Sequence, residues 1–203
     1  MGIKLSYTVK LINIEDQKTS TWSGGTTTEL YIFPENSEYK KLNFKWRLSS
    51  AKVINKESTF SSLPNIWRYI MVLEGNLKLN HENHHNLDLS PFEVDSFSGN
   101  WTTKSYGKVT DFNLMLNKDC SGNISALNLK KDIEVSINKN LSCVEAFYTL
   151  ESHSYVCVNG EEHIKLHKNN LLIINFNEFS YKNNISIYNN LKDTNIIRAS
   201  INY

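Results

Sequence analysis

Two arginines stand at positions where a charged side chain needs a partner. Arg47 lies in the stretch 46–51 (WRLSSA), and Arg68 lies in the apolar run Trp67–Leu73. An unpaired buried charge costs several kcal/mol, so each guanidinium must meet a carboxylate of the protein, a carboxylate of a ligand, or water. Arginine suits a carboxylate better than lysine because its fork forms two parallel hydrogen bonds. A structural ion pair or an exposed guanidinium remains an open alternative for each, and the candidate internal partners are Glu29, Glu74 and Asp111.

Hydroxyl and amide side chains on nearby segments could complete a small-molecule site. Residues 21–30 (TWSGGTTTEL) combine Trp22 and two glycines with five hydroxyl side chains. The glycines permit a tight turn or a close approach, and the β-branched threonines favour a strand. Alternation along the predicted strands puts Arg47 with Ser49, and Asp111 with Asn113, and it places Trp46 and Leu48 on the opposite, packed face. Trp22 either lines such a site or covers the core.

The sequence contains no recognisable catalytic motif. The sequence has no Gly-x-Ser-x-Gly elbow and no phosphate-binding loop, because Gly24-Gly25 is not followed by Lys-Ser/Thr. The three cysteines form no Cys-x-x-Cys pair and have no obvious histidine partner. Three of the six histidines cluster in segment 80–86 (NHENHHN). They could bind zinc or nickel adventitiously, but a solvated polar loop is the simpler interpretation.

The composition excludes several classes of function. Lysine and arginine total 22 against 21 acidic residues, a net charge of +1. Because basic residues form isolated pairs and no stripe, we expect no nucleic-acid binding. No apolar run approaches the roughly 18–20 residues that span a bilayer, and residues 1–10 lack the apolar region of a signal peptide. We therefore expect a cytoplasmic protein with no membrane association.

The pattern of the chain predicts an all-β protein of two similar halves. Short alternating or apolar runs are separated by glycine- and asparagine-containing turns, and helical periodicity is poor throughout. A strand, a glycine turn and a second strand recur about 85 residues apart, at 72–79 and 156–163, as an internal duplication would produce. Segment 74–76 is predicted as a hairpin turn, and the polar segment Asp119–Gly122 is the best candidate for a domain boundary.

Five stretches, in order, resemble the signature of the HutD/Ves family of small bacterial proteins. The resemblance covers roughly the first 115 residues, and nothing comparable follows from about residue 118. The stretches are 22–28 (WSGGTTT), 46–51 (WRLSSA), Arg68 with 71–75 (MVLEG), 91–92 (PF) with 97–99 (FSG), and 111–115 (DFNLM).

The resemblance implies a double cupin, with two small β-barrels or sandwiches over residues 1–118 and 119–203. Metal-binding cupins carry a His-x-His pair and a glutamate before the strand–glycine turn, whereas segment 60–69 holds no histidine. We therefore expect no cofactor and no metal in the first barrel, whose interior the family likeness implies is the ligand pocket. The predicted ligand-binding residues are Trp22, Thr26, Thr27, Glu29, Arg47, Ser49, Arg68, Asp111 and Asn113.

The expected function is binding of a small anionic metabolite, with a sensing or regulatory role. One branch of the family is associated with histidine catabolism, which implies a ligand such as N-formylglutamate, and the other with a stress response. One alternative is a metal-free cupin isomerase or lyase that uses Glu29, Asp111 or a histidine as general base. Another is a structural protein whose inner face is only packed core. Edge strands of open cupin sheets often pair between subunits, which leaves room for a homodimer.

Overall fold

The protein consists almost entirely of β-strands, as the sequence predicts. The computed structural model describes residues 7–137, 143–161, 163–176 and 183–203. Within these ranges the only helices are single 3-10 turns at Ile14–Asp16 and Tyr39–Lys41, and neither is long and apolar enough to cross a membrane. The strands are β1 (Tyr7–Ile12), β2 (Lys18–Trp22), β3 (Gly25–Phe33), β4 (Trp46–Val53), β5 (Glu57–Thr59), β6 (Ile66–Glu74), β7 (Leu77–His81), β8 (Asn86–Leu89), β9 (Val94–Ser98), β10 (Thr103–Tyr106), β11 (Thr110–Asn117), β12 (Ser121–Leu129), β13 (Val135–Ile137), β14 (Val144–Thr149), β15 (Ser154–Val158), β16 (Ile164–Leu166), β17 (Leu171–Phe176), β18 (Ile185–Asn189) and β19 (Thr194–Asn202).

The strands form two compact units. The first unit comprises residues 17–124 with Tyr203, and the second comprises the described parts of 1–16 and 125–202. The division at 118/119 that the sequence predicts differs from these units at both ends. The crossing falls inside β12, and β1 lies in the second unit because its backbone pairs along its whole length with β17. A local pattern identifies a strand but not the distant edge with which it pairs. Residues 1–6, 138–142, 162 and 177–182 of the predicted domains lie outside the described ranges.

The first unit is a sandwich of two antiparallel sheets. One sheet has six strands in the order β2-β3-β4-β11-β6-β9, and the other has four in the order β5-β10-β7-β8. Apolar side chains from both sheets meet in one buried cluster, in which Ile70, Val72 and Phe97 of the larger sheet pack with Leu77 and Leu79 of the smaller one. The face that carries these residues is therefore the inner face of the larger sheet.

The second unit repeats this arrangement. Its two sheets have the orders β1-β17-β14-β19-β12 and β13-β18-β15-β16. Phe147, Leu172 and Ile174 of the first sheet pack with Val156 and Ile187 of the second, all of them buried. The predicted double cupin is thus two sandwiches, and the sheets of the described residues do not close into barrels.

The two glycine turns of the proposed repeat behave differently. Gly160 leads from β15 towards β16, which pairs with β15 as in a hairpin, although Glu162 of the predicted motif lies outside the described ranges. The prediction of a hairpin at 74–76 is wrong, because β6 and β7 belong to different sheets. Gly75 has a φ of +89°, and an added Cβ would lie 2.5 Å from the Lys108 carbonyl oxygen. The turn residue therefore fixes the change of direction, but it does not decide whether the chain folds back or crosses to the other sheet.

Candidate functional site

Cross-strand register brings most of the predicted site residues onto one face of the six-stranded sheet. Asn113 on β11 lies opposite Ser49 on β4 and Ile70 on β6, and Ser49 lies opposite Glu29 on β3. Residues directly opposite one another point to the same side of a sheet, and Ile70 belongs to the buried cluster. This row therefore lies on the inner face of the first unit.

The neighbouring rows add both arginines and the aspartate. Met115 lies opposite Arg47 on one side and Arg68 on the other. Asp111, two residues before Asn113, shares its face and lies opposite Ala51. Two cationic and two acidic side chains are thus spread over four adjacent strands of one inner face.

Arg47 has a counterion within the protein. Its Nε donates a hydrogen bond of 2.8 Å to Glu29 Oε2, and its Nη1 donates one of 3.0 Å to Ser49 Oγ. The guanidinium also lies 4.5 Å from the centroid of the Tyr39 ring. The Arg47 side chain is buried, whereas that of Glu29 remains 24% exposed. The structural alternative therefore accounts for the charge of Arg47.

Arg68 has no such partner among the described residues. Its Nε is buried without a hydrogen-bond partner, and no ion pair joins its guanidinium to a carboxylate in these ranges. The adjacent rings of Phe60 and Phe97 lie against it, with centroids 4.7 and 5.0 Å from Cζ. Burial lowers the pKa of Arg68 to about 10, so the side chain remains charged at neutral pH. Only 8% of the residue is exposed, which leaves a buried positive charge without a bonded anion.

Asp111 is the acidic group that acts on Arg68 without pairing with it. The residue is 4% exposed, and its Oδ1 accepts a hydrogen bond from the amide of Asn113. Burial raises the pKa of Asp111 to about 7, against the opposing effects of the Asn113 hydrogen bond and the charge of Arg68. Near neutral pH this carboxyl group is therefore divided between its protonated and ionised forms.

Three other candidates have different positions. Thr27 lies on the inner-facing side of β3 and accepts a 3.2 Å hydrogen bond from Trp22 Nε1. Trp22, at the end of the edge strand β2, is 39% exposed. Thr26 lies on the opposite face, because successive residues of a strand alternate, and it is opposite Lys52. Thr26 and Thr27 therefore cannot belong to the same side of the sheet, although both were predicted as ligand contacts. Glu74, the third candidate partner of the arginines, is exposed at the end of β6.

The other face of β4 packs as the sequence predicts. Trp46 and Leu48 are fully buried there, and the Trp46 ring lies 5.2 and 5.5 Å from the rings of Tyr31 and Phe33. Sequence reasoning missed Tyr39, Phe60 and Phe97, which surround the two arginines. Alternation along β9 could have identified Phe97 as inward-facing, but Tyr39 and Phe60 lie outside the central strands and carry no such signal.

A second group of side chains has the chemistry of a metal site. His81, His85 and Asp95 each place one ligand atom within 4.8 Å of the others. The histidines were noted from the sequence, but Asp95 was not, because it reaches them from a different strand. No comparable group of three His, Cys, Asp or Glu side chains occurs elsewhere in the described ranges.

Known proteins with the same fold include several bacterial structures. PA5104, a conserved protein of unknown function from Pseudomonas aeruginosa PAO1, superposes with a TM-score of 0.83 at 17% identity, covering 97% of this chain and 100% of its own. HutD from Pseudomonas fluorescens SBW25 gives a TM-score of 0.70 at 19% identity, covering 96% and 98%. YhhW from Escherichia coli gives 0.68 at 10% identity, covering 95% and 97%. At such low sequence identities, the structural likeness shows that the fold is cupin-like and nothing about function.

The sequence itself shows the family. None of the curated proteins compared with the chain matches it. The sequence model of the HutD family matches residues 14–188, which include the five stretches of the resemblance and most of the second unit. The match extends well beyond half of the 203 residues. The chain belongs to the HutD family.

Proposed function

We propose that the first unit binds a small carboxylate metabolite at Arg68, and that the protein acts as a HutD-like sensor or regulator of that metabolite. The observation that carries the proposal is the buried Arg68 guanidinium, which lacks a bonded anion among the described residues. A buried charge without a counterion is costly, and a ligand carboxylate would remove that cost. Binding would then stabilise the fold as well as satisfy the arginine.

The chemistry of Arg68 suits a carboxylate. The adjacent rings of Phe60 and Phe97, whose centroids are 6.0 Å apart, lie 4.7 and 5.0 Å from its Cζ and cover part of the guanidinium. A planar carboxylate can accept two parallel hydrogen bonds from such a fork. On the same face, Asn113 and protonated Asp111 offer neutral polar groups that could bind an amide or a second carboxyl group of the ligand.

Arg47 has a secondary part in this proposal. Its charge is already compensated by Glu29, so it would contribute hydrogen bonds through the guanidinium N–H groups that Glu29 and Ser49 do not use, and not the main electrostatic attraction. The family likeness makes N-formylglutamate the first ligand to test. The structure of HutD from P. fluorescens is described as a formate condition, and formate is the simplest carboxylate with which to begin a ligand series.

A metal-free enzyme is the second candidate, and Asp111 favours it. A buried carboxyl group with a pKa of about 7 is suited to general acid–base chemistry at neutral pH, because both protonation states are populated. In this alternative Arg68 would hold the substrate carboxylate while Asp111 moves a proton. The two functions share the binding step and differ only in turnover.

Titration calorimetry on the tag-free protein tests the binding step. Formate, glutamate, glutarate and N-formylglutamate are titrated into wild type, Arg68→Lys and Arg198→Lys at pH 6.5. Arg68→Lys retains the charge but loses the fork, so we expect about 1–3 kcal/mol weaker binding, or roughly 5- to 150-fold. Arg198→Lys is the matched control, since Arg198 is a strand arginine of the second unit that is already paired with Glu145.

The outcomes separate ligand class from site. If none of the acids binds wild type at millimolar concentration, the proposed ligand class is wrong. Equal binding by wild type and Arg68→Lys would retain the ligand class and reject Arg68 as its site. Proton NMR of each acid incubated with catalytic amounts of protein then distinguishes an unchanged ligand from an enzyme product.

A further inference from the structure

We propose that His81, His85 and Asp95 form a binding site for one divalent transition-metal ion such as zinc or cobalt. The site involves none of the residues assigned to carboxylate binding. It is not at the strand positions used by metal-binding cupins. The lack of histidines at those positions is the basis for expecting a metal-free first barrel, so the proposal departs from that expectation. It is carried by the arrangement of three ligand atoms from three segments of the first unit.

The local fold brings the two imidazoles together. His81 ends β7, and a tight turn closes with hydrogen bonds from His84 N–H to the His81 carbonyl (3.0 Å) and from His81 N–H to the His85 carbonyl (2.9 Å). Asn83 takes a φ of +62° within this turn, a conformation that asparagine adopts more readily than most residues. The two histidine rings consequently face each other with centroids 4.5 Å apart.

Asp95 reaches the same point from the other sheet. It lies on β9 opposite Ile70, so its side chain points to the inner face. Its Oδ2 is 2.8 Å from His81 Nε2, and its Oδ1 is 3.1 Å from His85 Nε2. Ligand atoms around a tetrahedral zinc ion, with bonds of about 2.0–2.1 Å, lie roughly 3.3 Å apart. Small shifts would therefore convert this hydrogen-bonded group into a coordination shell.

The site is built into the unit and is not a loose surface loop. His81 is 2% exposed and Asp95 is 8% exposed. His81 Nδ1 lies 2.8 Å from the hydroxyl of Thr103, which is itself fully buried. Outer contacts of this kind fix the orientation of a ligating imidazole and are typical of metal sites. The Phe97 ring packs 4.5 Å from the His81 ring and completes the support.

One side of the site is open. The His85 side chain is 40% exposed, so an ion there could be reached from solvent and could retain water or an exchangeable ligand. A ligand set of two histidines and one carboxylate that leaves coordination positions of the metal ion open suits zinc, cobalt(II) and iron(II). The adjacent His84 does not take part, because its ring stacks on Trp101 with centroids 3.7 Å apart. This difference between neighbouring histidines provides the control.

The test uses tag-free, EDTA-treated wild type and the variants His85→Gln, Asp95→Asn and His84→Gln, titrated with CoCl2 and ZnCl2. Calorimetry gives stoichiometry and affinity, and the visible spectrum of bound cobalt(II) reports the ligand set. We expect one ion per chain for wild type and His84→Gln, with at least roughly tenfold weaker binding for His85→Gln and Asp95→Asn. Quenching of Trp101 fluorescence by cobalt should follow the same order, since Trp101 contacts both His81 and His85.

Three results would overturn the proposal. Wild type could fail to bind either metal at high micromolar concentration, which would leave a hydrogen-bonded His–Asp–His group without metal. His84→Gln could weaken binding as much as His85→Gln, which would mean chelation by the histidine loop alone. Asp95→Asn could bind as wild type does, which would exclude the carboxylate. His85 is partly exposed, so His85→Gln remains informative even if Asp95→Asn fails to fold.

Discussion

The inner faces of the two units carry the same short pattern with different consequences. In the first unit, Arg47 and Ser49 flank one residue on β4, and Glu29 lies opposite Ser49. In the second unit, Arg198 and Ser200 flank one residue on β19, and Glu145 lies opposite Ser200. In the first unit Arg47 donates hydrogen bonds to both Glu29 and Ser49, whereas in the second unit Arg198 and Ser200 both donate to Glu145.

On the inner face of the second unit, Arg198 and Glu145 neutralise each other's charge. Arg198 donates through Nε (2.7 Å) and Nη2 (3.0 Å) to the two carboxylate oxygens of Glu145, and Ser200 Oγ adds a third bond of 2.9 Å. Glu145 is completely buried. Arg198 lies opposite Phe147 of the unit's apolar cluster, and both carboxylate oxygens of Glu145 are bonded within the fold, so we interpret the pair as structural.

On the inner face of the first unit, one of the two arginines is paired with a carboxylate and the other is not. Its Arg47–Glu29 pair has a single direct hydrogen bond, and Arg68 adds a second buried guanidinium without a bonded anion in the described residues. The sequence contains only these three arginines, and each occupies the inner face of a main sheet. The difference indicates that a buried arginine marks a ligand site only where its own unit leaves the charge uncompensated.

Replacing Arg198 and Arg68 by methionine, one at a time, should affect the free energy of unfolding very differently. This is the largest effect that we expect. Arg198→Met leaves the buried Glu145 charge without its partner, so the second unit should lose about 3–5 kcal/mol of unfolding free energy. Arg68→Met removes a charge that has no bonded partner, so ligand-free stability should stay within about 1 kcal/mol of wild type or rise. Urea unfolding followed by far-UV circular dichroism measures both. A loss of several kcal/mol in Arg68→Met would show that its charge is compensated in the fold.

Replacing the glutamate partners should show the same contrast between the units, with a larger loss of stability for Glu145 than for Glu29. Glu145→Gln should destabilise strongly, because the half-buried Arg198 loses both of its charged hydrogen bonds to a fully buried carboxylate. Glu29→Gln should cost only about 1 kcal/mol, because Glu29 is partly exposed and solvent screens its pair with Arg47. All four tryptophans lie in the first unit, so tryptophan fluorescence follows Glu29→Gln while circular dichroism follows both variants. Equal losses would contradict the distinction between the units.

Carboxylate binding should weaken as pH rises through 7. The raised pKa of Asp111, about 7, means that this group is neutral at pH 6 and charged at pH 8. Once ionised, it repels the ligand carboxylate and partly compensates the charge of Arg68. The same shift means that the contribution of Asp111 to stability is present at low pH and is lost as pH rises through 7.

Calorimetry between pH 5.5 and 8.5 tests the effect of Asp111 on binding. Wild-type affinity should fall by roughly tenfold over this range, since electrostatic coupling of about 1.4 kcal/mol corresponds to that factor. Asp111→Asn has the same shape without the charge, so its affinity should be nearly independent of pH. A wild-type affinity that does not change would exclude Asp111 from the site.

The smallest expected effect separates the two threonines of β3. Thr27→Val removes the acceptor of the Trp22 hydrogen bond and should change ligand affinity or stability by about 0.5–1 kcal/mol. Thr26→Val alters the opposite face and should leave ligand affinity unchanged. Calorimetry with the best carboxylate compares them, and an effect of Thr26→Val alone would mean that the site lies on the other side of the sheet.

Alternation within a strand made part of this site predictable. It correctly paired Arg47 with Ser49 and Asp111 with Asn113, and it placed Trp46 on the other face. The same rule places Thr26 and Thr27 on opposite faces of β3, so the prediction that both contact the ligand overlooks alternation in favour of their shared position after the glycine turn. The ion pair between Arg47 and Glu29 is one of the candidates that the sequence offers, together with Glu74 and Asp111 as possible partners.

Long-range pairing made the rest unpredictable. Arg198 meets a glutamate 53 residues earlier in the chain, and the His81 site is completed by Asp95 from another sheet. The first strand joins the second unit through β17, which lies more than 150 residues away. No local pattern encodes such registers, so sequence reasoning could propose the residues of the site but not decide which charges are compensated.

A crystal structure of the protein grown with N-formylglutamate or glutarate at about pH 6 would show directly whether Arg68 binds a carboxylate. We expect a ligand carboxylate within hydrogen-bonding distance, about 2.7–3.2 Å, of Arg68, with the Arg198–Glu145 pair unchanged. A ligand bound elsewhere, or Arg68 paired with Asp111 and no ligand on the inner face, would contradict this expectation.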